Sequence, residues 1–374
     1  MLFGKCVTHH GPTSLTHIGM HTAMRTGWSW RLDHLRCARW LIGVALLCEC
    51  VSATAFPLAS PVQIRVIGIG GGGSNAVNRM VDALGDDGAA SAVQFVACNT
   101  DVQALASSKA AQTLQIGPEC TRGLGAGGQP VVGTEAAVES EAAVRAIVEG
   151  QDMIFVTAGM GGGTGSGAAP VVARLAREAG ALTVGVVSKP FGFEGRKRAA
   201  QAESAVEQLR DYVDVLIVVS NDRLLSIIPE GLSLTDSFAL ADEVLRQGIV
   251  GLTDLVTKPG LVNVDFADVR AIMEASGFAL MGVGRGFGQS RAEDAAMAAI
   301  SSPLLEFPMA RARRVVFSVT GGPSMTLQHV NQVAKQIASV ADPEANIIFG
   351  AAVDADFGDE LSVTVVATDF PGEL

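Results

Sequence analysis

Gly161-Gly-Gly-Thr-Gly-Ser-Gly167 is the stretch that decides the predicted fold of this 374-residue chain. The apolar run 152–158 before it is typical of a buried strand, and 168–177 after it has the pattern of a helix. A glycine turn between a strand and a helix lets several backbone N–H groups point at one place, at the positive end of the helix dipole. The stretch therefore predicts a phosphate site, to which Thr164 and Ser166 add hydroxyl donors.

A second glycine run, Gly70-Gly-Gly-Gly-Ser-Asn75, follows the predicted strand 62–69. We expect it to form another turn, with a helix over 76–84 after it. Neither run is followed by the lysine of a P-loop, so backbone and hydroxyl groups alone would hold the phosphates.

Residues 68–73 also match the G-x-G-x-x-G pattern of nicotinamide-dependent oxidoreductases. That pattern requires an acidic residue about 20 positions later, whereas Asp101 follows about 28 positions on and lies within an Asn-Thr-Asp sequence. Two glycine runs that grip one phosphate chain from two sides favour a mononucleotide site. The oxidoreductase is kept as the less favoured alternative.

The order of predicted elements gives the fold class. Strands at 94–98, 182–187 and 213–219 and a helix at 134–149 join the segments above, and alternating strands and helices predict an α/β fold with a parallel, doubly wound sheet. A long helix at 234–256 stops at Lys258-Pro259-Gly260. Beyond it an α+β module is predicted, with strands at 314–320, 346–353 and 361–367 and a helix at 326–340.

Four segments follow from this order. They are a leader at 1–60, a nucleotide-binding domain at 61–233, a central helix at 234–259 and a C-terminal α+β domain at 260–374.

Composition separates the leader from the body. The first 60 residues are net basic and hold five of the six histidines, although the chain as a whole has a net charge of −11. So acidic a body excludes general nucleic-acid binding, which needs a basic face. Only Cys98 and Cys120 follow the leader, which favours a reducing compartment.

The leader has the features of a targeting segment. Three arginines precede the apolar core 40–48, and Ala53-Thr-Ala55 fits a cleavage site for a signal peptidase. Residues 53–57 resemble the junction used by algae whose plastids lie inside the endomembrane system, so we expect a signal-plus-transit leader and the plastid stroma. The alternative is a cytoplasmic protein with an unprocessed extension or a start placed upstream of Met20 or Met24.

Motifs spread over about residues 62–370 resemble the tubulin/FtsZ family, and most of all FtsZ of the plastid division type. In family order they are GIGGGGSNAVN (68–78), CNTDVQAL (98–105), TRGLGAGGQP (121–130), GMGGGTGSGAAPVVA (159–173), KPFGFEGRKR (189–198), ADEVL (241–245), GLVNVDFADVR (260–270) and ADPEANIIFGAAVD (341–354). Ser166 stands where threonine is more usual, and the hydroxyl is kept. The resemblance implies the tubulin/FtsZ fold, with a Rossmann-like GTPase domain, a long central helix and an α+β C-terminal domain.

The resemblance also implies GTP as the ligand and substrate, together with Mg²⁺, although no residue is assigned to the metal. The residues expected to contact the nucleotide are Gly70, Gly71, Gly72, Gly73, Ser74, Asn75, Gly161, Gly162, Gly163, Thr164, Gly165, Ser166, Gly167, Glu194, Arg198, Asn221, Phe238 and Asp242.

Asp242 and Phe238 account for the choice of base. They lie four residues apart on the long helix and so share one face. A carboxylate can accept both the N1–H and the 2-amino group of guanine, which adenine does not offer in that arrangement, and Phe238 can stack on the base. Each of these residues also has a simpler interpretation without a ligand. Asp242 could be an ordinary acidic residue of an amphipathic helix, Glu194 and Arg198 could form a surface ion pair, and Asn221 could serve only to form a turn.

The catalytic residues are expected outside the nucleotide loops, which contain no general base. Asn263, Asp265 and Asp268 lie at the start of a helix in the C-terminal module, where two carboxylates could polarise water or hold a metal-bound water. In the family this segment completes the site of the neighbouring subunit. Helix capping by one Asp is the simpler alternative.

The expected partner is therefore the chain itself, in a head-to-tail polymer that hydrolyses GTP at its junctions and forms a division ring. Because the sequence stops four residues after Phe370 and has no basic amphipathic segment, we expect a membrane tether only through a partner such as a second FtsZ isoform. A polymerising protein with little hydrolysis is the alternative.

Overall fold

The computed structural model of the chain describes residues 62–84, 93–224, 233–257, 262, 264–302 and 309–370. These fall within one compact unit, Ser60–Leu374. The predicted leader at 1–60 and the candidate catalytic residue Asn263 lie outside the described residues.

The described residues contain ten strands and twelve α-helices. The strands are β1 (Ile64–Ile69), β2 (Val93–Asn99), β3 (Gln112–Gln115), β4 (Met153–Gly159), β5 (Leu182–Lys189), β6 (Val215–Ser220), β7 (Gly277–Phe287), β8 (Arg314–Gly321), β9 (Asn346–Val353) and β10 (Glu360–Thr368). The helices are α1 (Gly70–Leu84), α2 (Val102–Ala106), α3 (Pro118–Thr121), α4 (Pro130–Glu139), α5 (Glu141–Val148), α6 (Thr164–Glu178), α7 (Arg196–Arg210), α8 (Asn221–Leu224), α9 (Leu234–Thr257), α10 (Phe266–Met273), α11 (Arg291–Ile300) and α12 (Leu327–Val340).

The strands form one mixed sheet in the order β3-β2-β1-β4-β5-β6-β7-β10-β8-β9. Neighbours from β3 to β7 are parallel. β10 is antiparallel to both β7 and β8, and β8 is parallel to β9. The predicted class, a parallel α/β sheet followed by an α+β module, is confirmed.

The core lies on both faces of the sheet because side chains alternate along each strand. Val66 and Phe155 point to the face covered by α1 and α9, whereas Ile67 and Val156 point to the face covered by α4 to α7. A third cluster lies under α11 and α12. Strands buried on both faces explain the continuous apolar runs of the parallel part.

The long helix α9 packs against both parts of the sheet. Leu245 and Ile249 of α9 belong to the same cluster as Val316 of β8 and Val366 of β10. The domain boundaries expected at 233/234 and 259/260 stay a prediction. No helix among the described residues is long and apolar enough to cross a membrane.

Two local predictions are wrong. The run 70–75 is not a turn but the first part of α1, and Gly70 is the one residue of the run with a positive φ, 71°. The predicted single helix at 134–149 is two helices, because the backbone leaves the helical region at Ser140 (φ −98°, ψ 18°). The Ser140 hydroxyl accepts the Gly117 N–H at 2.9 Å, which ties this break to the loop before α3.

Candidate functional site

A cleft of about 410 Å³ opens where β1, β4, β5 and β6 end. The chain order of the sheet runs outward in one direction from β1 and in the other from β4, and ligands of open α/β sheets bind at such a switch point. The volume is in the range of small-molecule sites. The lining residues are Gly71, Gly72, Asn75, Gly159, Met160, Gly161, Gly162, Ser188, Pro190, Glu194, Arg198, Asn221, Phe238, Ala241 and Asp242.

The structure brings together predicted residues from five separate segments of sequence. Those that line the cleft are Gly71, Gly72, Asn75, Gly161, Gly162, Glu194, Arg198, Asn221, Phe238 and Asp242. Those that do not line it are Gly70, Gly73, Ser74, Gly163, Thr164, Gly165, Ser166 and Gly167.

Sequence reasoning missed several lining residues. They are Gly159, Met160, Ser188, Pro190 and Ala241. Gly159 and Ser188 lie in the last positions of β4 and β5, so the rule that ligands bind at the carboxyl ends of parallel strands could have found them.

The two hydroxyls of the glycine stretch bond to other protein groups. Ser166 is buried, and its Oγ accepts the Gly161 N–H at 2.8 Å. The Thr164 Oγ1 lies 2.7 Å from the Thr100 Oγ1, just beyond β2. These hydroxyls hold the turn in shape, and the backbone of Gly161 and Gly162 forms the wall of the cleft.

Two of the glycines on the cleft wall leave room that a side chain would fill. A Cβ on Gly71 or on Gly162 would meet no atom within 4 Å. Because both residues line the cleft, such an atom would enter the open space. Two helices, α1 and α6, also begin at these glycine runs, and their positive ends favour an anion. This end of the cleft fits a chain of phosphates.

The other end of the cleft is formed by α9. Phe238 is 38% exposed, and its ring packs edge-on against Phe191 with 5.3 Å between centroids. Asp242, whose side chain is 17% exposed, accepts the Arg79 Nε–H at 3.0 Å. Burial raises the pKa of Asp242, and the Arg79 guanidinium acts in the opposite direction. A carboxylate acceptor beside a partly exposed ring suits a planar base with donors on one edge.

Between the two ends lie the remaining polar groups. Glu194 pairs with Arg198 one helical turn on, and its other oxygen accepts the Phe191 N–H at 3.0 Å. Asn221 is 6% exposed, and its Oδ1 has no hydrogen-bond partner. A buried polar atom without a partner is costly, so this oxygen is an acceptor that a bound ligand could satisfy.

The described residues contain no cluster of three or more His, Cys, Asp or Glu side chains that could hold a metal ion. The two carboxylates of the cleft, Glu194 and Asp242, are each paired with an arginine. The described side chains therefore do not by themselves fit a magnesium site, which usually draws on one or two carboxylates besides phosphates and water.

Asp265 and Asp268 do not line the cleft. Asp265 is the N-cap of α10, and its Oδ1 accepts the Asp268 N–H at 2.7 Å. Both side chains are exposed. Asp265 thus caps the helix, as the simpler alternative expected. The cap uses only one of its carboxylate oxygens, so the other oxygen and the Asp268 carboxylate can still contact a ligand or water.

Helix α10 lies toward the end of the sheet opposite the cleft. Arg270 of α10 donates to the carbonyl of Gly180, just before β5, at 3.0 Å. Arg314, the first residue of β8, donates to the carbonyl of Ile272 at 3.2 Å. β5 has eight residues, and at about 3.3 Å per residue it separates the two ends of the sheet by roughly 26 Å.

A second open cleft, of about 420 Å³, lies beside α11 and is lined by Gly288, Gln289, Arg291, His329 and Asp359. Its one buried cation, Arg291, already donates to Ser324 and to the Asp359 carbonyl. The Arg291 guanidinium therefore connects two loops of the fold and is not held ready for a ligand. For this reason we take the glycine-lined cleft, and not this second cleft, as the functional site.

Comparison with known proteins agrees with this geometry. Residues 63–229 match the family model for the GTPase domain of the tubulin/FtsZ family, and residues 277–371 match that for the C-terminal domain of the FtsZ family. An empty FtsZ dimer from M. jannaschii is 40% identical, with a TM-score of 0.78 over 87% of this chain and 92% of that one.

Two proteins of Haloferax volcanii share the fold at 22% identity. A GTPγS-bound protofilament of CetZ2 has a TM-score of 0.69 over 82% of this chain and 92% of its own. A GDP-bound monomer of CetZ1 has a TM-score of 0.71 over 83% and 95%.

A switch-point cleft walled by glycines lies on a parallel sheet that a long helix joins to an α+β module, and residues 63–229 match the tubulin/FtsZ GTPase domain. Fold, site and family match together place the chain among the GTPases of the tubulin type. Within that class the chain belongs to the FtsZ family. It binds GTP and is a GTPase.

Proposed function

We propose that this protein assembles head to tail into filaments and hydrolyses GTP at the junctions between subunits, as the filament of a plastid division ring. The similar FtsZ of M. jannaschii is described as a dimer, and CetZ2 as a protofilament, which supports self-assembly. The plastid role rests on the sequence of residues 53–57 and on the net basic leader.

The observation that carries the proposal is the separation of the cleft from Asp265 and Asp268. Roughly 26 Å of strand lies between the two ends of the sheet, so one subunit cannot bring these carboxylates to its own nucleotide. If the α10 end of one subunit meets the cleft of the next, each junction becomes complete. Such a contact joins unlike surfaces and continues as a filament.

Each part of the chain then has a distinct task. The glycine-lined backbone holds the phosphates, Asn221 offers an acceptor, and Asp242 with Phe238 selects the base. Asp265 and Asp268 of the neighbouring subunit orient and polarise the attacking water. Mg²⁺, if bound, would be held by phosphate oxygens and water, since the described carboxylates of the cleft are paired with arginines.

Replacing Asp242 tests the base contact on which GTP selection depends. Asp242→Ala should weaken GTP binding by about 1–3 kcal/mol, with little change for ATP, because an ionised acceptor is lost. Binding of GTP, ATP and NAD to the purified protein would be measured by calorimetry. Asp236→Ala is the matched control, since Asp236 is exposed on the same helix and does not line the cleft. Equal affinity for GTP in both variants would remove Asp242 from the site.

A further inference from the structure

An ion pair joins α1 to α9 beside the cleft. Arg79 donates its Nε–H to Asp242 Oδ2 at 3.0 Å. Arg79 itself does not line the cleft, whereas Asp242 does. The ion pair therefore links a carboxylate of the cleft lining to a residue that is not part of that lining.

We propose that Arg79 is the positioning residue for base selection, holding the Asp242 carboxylate in place to accept from guanine. This inference rests on the proposed contact between Asp242 and the base. It assigns a task to a residue outside the cleft and outside the glycine runs.

The geometry leaves Asp242 free to accept further hydrogen bonds. Arg79 uses one N–H and engages one of the two carboxylate oxygens. Each carboxylate oxygen can accept two hydrogen bonds, so both oxygens can still receive the N1–H and the 2-amino group of guanine. Arg79 restricts the rotation of the carboxylate while both oxygens keep acceptor capacity for the base.

Electrostatics give the same pair a second effect. Burial raises the pKa of Asp242, and the guanidinium of Arg79 opposes that rise. Among the described residues, two further ion pairs lie nearby, Glu194 with Arg198 on the cleft lining and Glu243 with Arg246 on α9. Only the ionised carboxylate accepts both guanine donors, so binding is lost as the pH falls through the pKa of Asp242.

Stability alone does not explain the pair. The Arg79 side chain is 41% exposed, so water solvates its charge and weakens what the pair contributes to folding. Its value lies in keeping a mostly buried acceptor charged and oriented. Removal of Arg79 should therefore change how GTP binds far more than how the chain folds.

A double-mutant cycle on the full protein tests this, using Arg79→Met, which keeps the aliphatic stem, and Asp242→Asn. We expect Arg79→Met to weaken GTP binding roughly three- to tenfold, with a smaller loss for ITP, which lacks the 2-amino group. GTP binding should also begin to fall at a higher pH than in the wild type, because the pKa of Asp242 rises. Arg79→Lys should restore part of both effects.

In the Asp242→Asn background, Arg79→Met should cause no further loss of GTP affinity. An equal loss in both backgrounds, or an unshifted pH profile, would overturn the inference while leaving the base contact intact. If Asp242→Asn itself does not weaken GTP binding, the base contact fails and the inference fails with it. Thermal unfolding of the wild type and of every variant, Arg79→Lys included, shows whether the variants are folded.

Discussion

Asp265 combines a structural role and a proposed chemical role in one side chain. One carboxylate oxygen caps α10 by accepting the Asp268 N–H, and the residue is exposed at the end of the sheet opposite the cleft. A capping bond needs an oxygen but no charge, because asparagine caps helices about as well as aspartate. Activation of water needs the charged form. The two roles can therefore be separated by substitution.

Asp265→Asn should leave the melting temperature and GTP affinity unchanged but lower turnover by about 10²–10⁴-fold, the usual contribution of an acid–base group. Asp265→Ala should lower turnover similarly and also cost about 1 kcal/mol of stability, because the cap is lost. GTP hydrolysis, GTP binding and thermal unfolding would be measured on each variant.

Thr326→Ala is the control for capping alone, since Thr326 caps α12 by accepting the His329 N–H. It should lose comparable stability and keep full turnover. Normal hydrolysis by Asp265→Asn would mean that the carboxylate at this position has no catalytic role.

Among the elements, the single glycine run 161–167 contains glycines with different tasks. Gly162 borders open space in the cleft, whereas a Cβ on Gly167 would lie 2.0 Å from the Pro130 carbonyl oxygen. The first glycine leaves room for a ligand, and the second lets α6 approach α4. One motif thus contains both binding and packing positions.

Gly162→Ala should fold normally and bind GTP roughly tenfold more weakly, because the new methyl group occupies ligand space at a cost of about 1–3 kcal/mol. Gly167→Ala should lower the free energy of unfolding by a similar amount, because backbone must shift. Urea unfolding and GTP titration of both variants check this. The opposite pattern, an unstable Gly162→Ala and a stable Gly167→Ala, would contradict this assignment of tasks.

The elements that the sequence did not predict have physical reasons. β7 carries four glycines, which weaken strand propensity, and two of them let α11 pack directly on the strand. A Cβ on Gly284 would lie 2.1 Å from the Ala295 carbonyl oxygen, and one on Gly286 would lie 2.0 Å from that of Arg291. Glycine is required at these positions because a helix later in the chain packs against the strand. The sequence pattern around β7 alone therefore cannot reveal the strand. β3, with four residues at the sheet edge, is too short for a periodicity signal.

The position of the cleft could be predicted from the sequence, whereas the hydrogen bonds within it could not. Strand ends and glycine runs located it, because parallel strands place their carboxyl ends at one edge. The bond of Thr164 to Thr100 is a contact between residues 64 positions apart, so the sequence pattern does not reveal it. The Arg79–Asp242 pair joins residues 163 positions apart, and such a contact has no local signature.

At the scale of the whole molecule, the sheet acts as a spacer. It holds the nucleotide cleft at one end and α10 toward the other, with Asp265 and Asp268 facing solvent. An enzyme built this way has half of its proposed active site on each of two opposite surfaces. Hydrolysis then depends on the fraction of subunits that have a neighbour.

The most direct measurement is the rate of GTP hydrolysis per subunit across a dilution series of the purified protein, with light scattering recorded on the same samples. The account predicts that turnover per subunit rises with protein concentration and falls toward zero where scattering shows no polymer. Constant turnover per subunit down to concentrations without polymer would mean that one chain contains a complete active site, which would contradict the account.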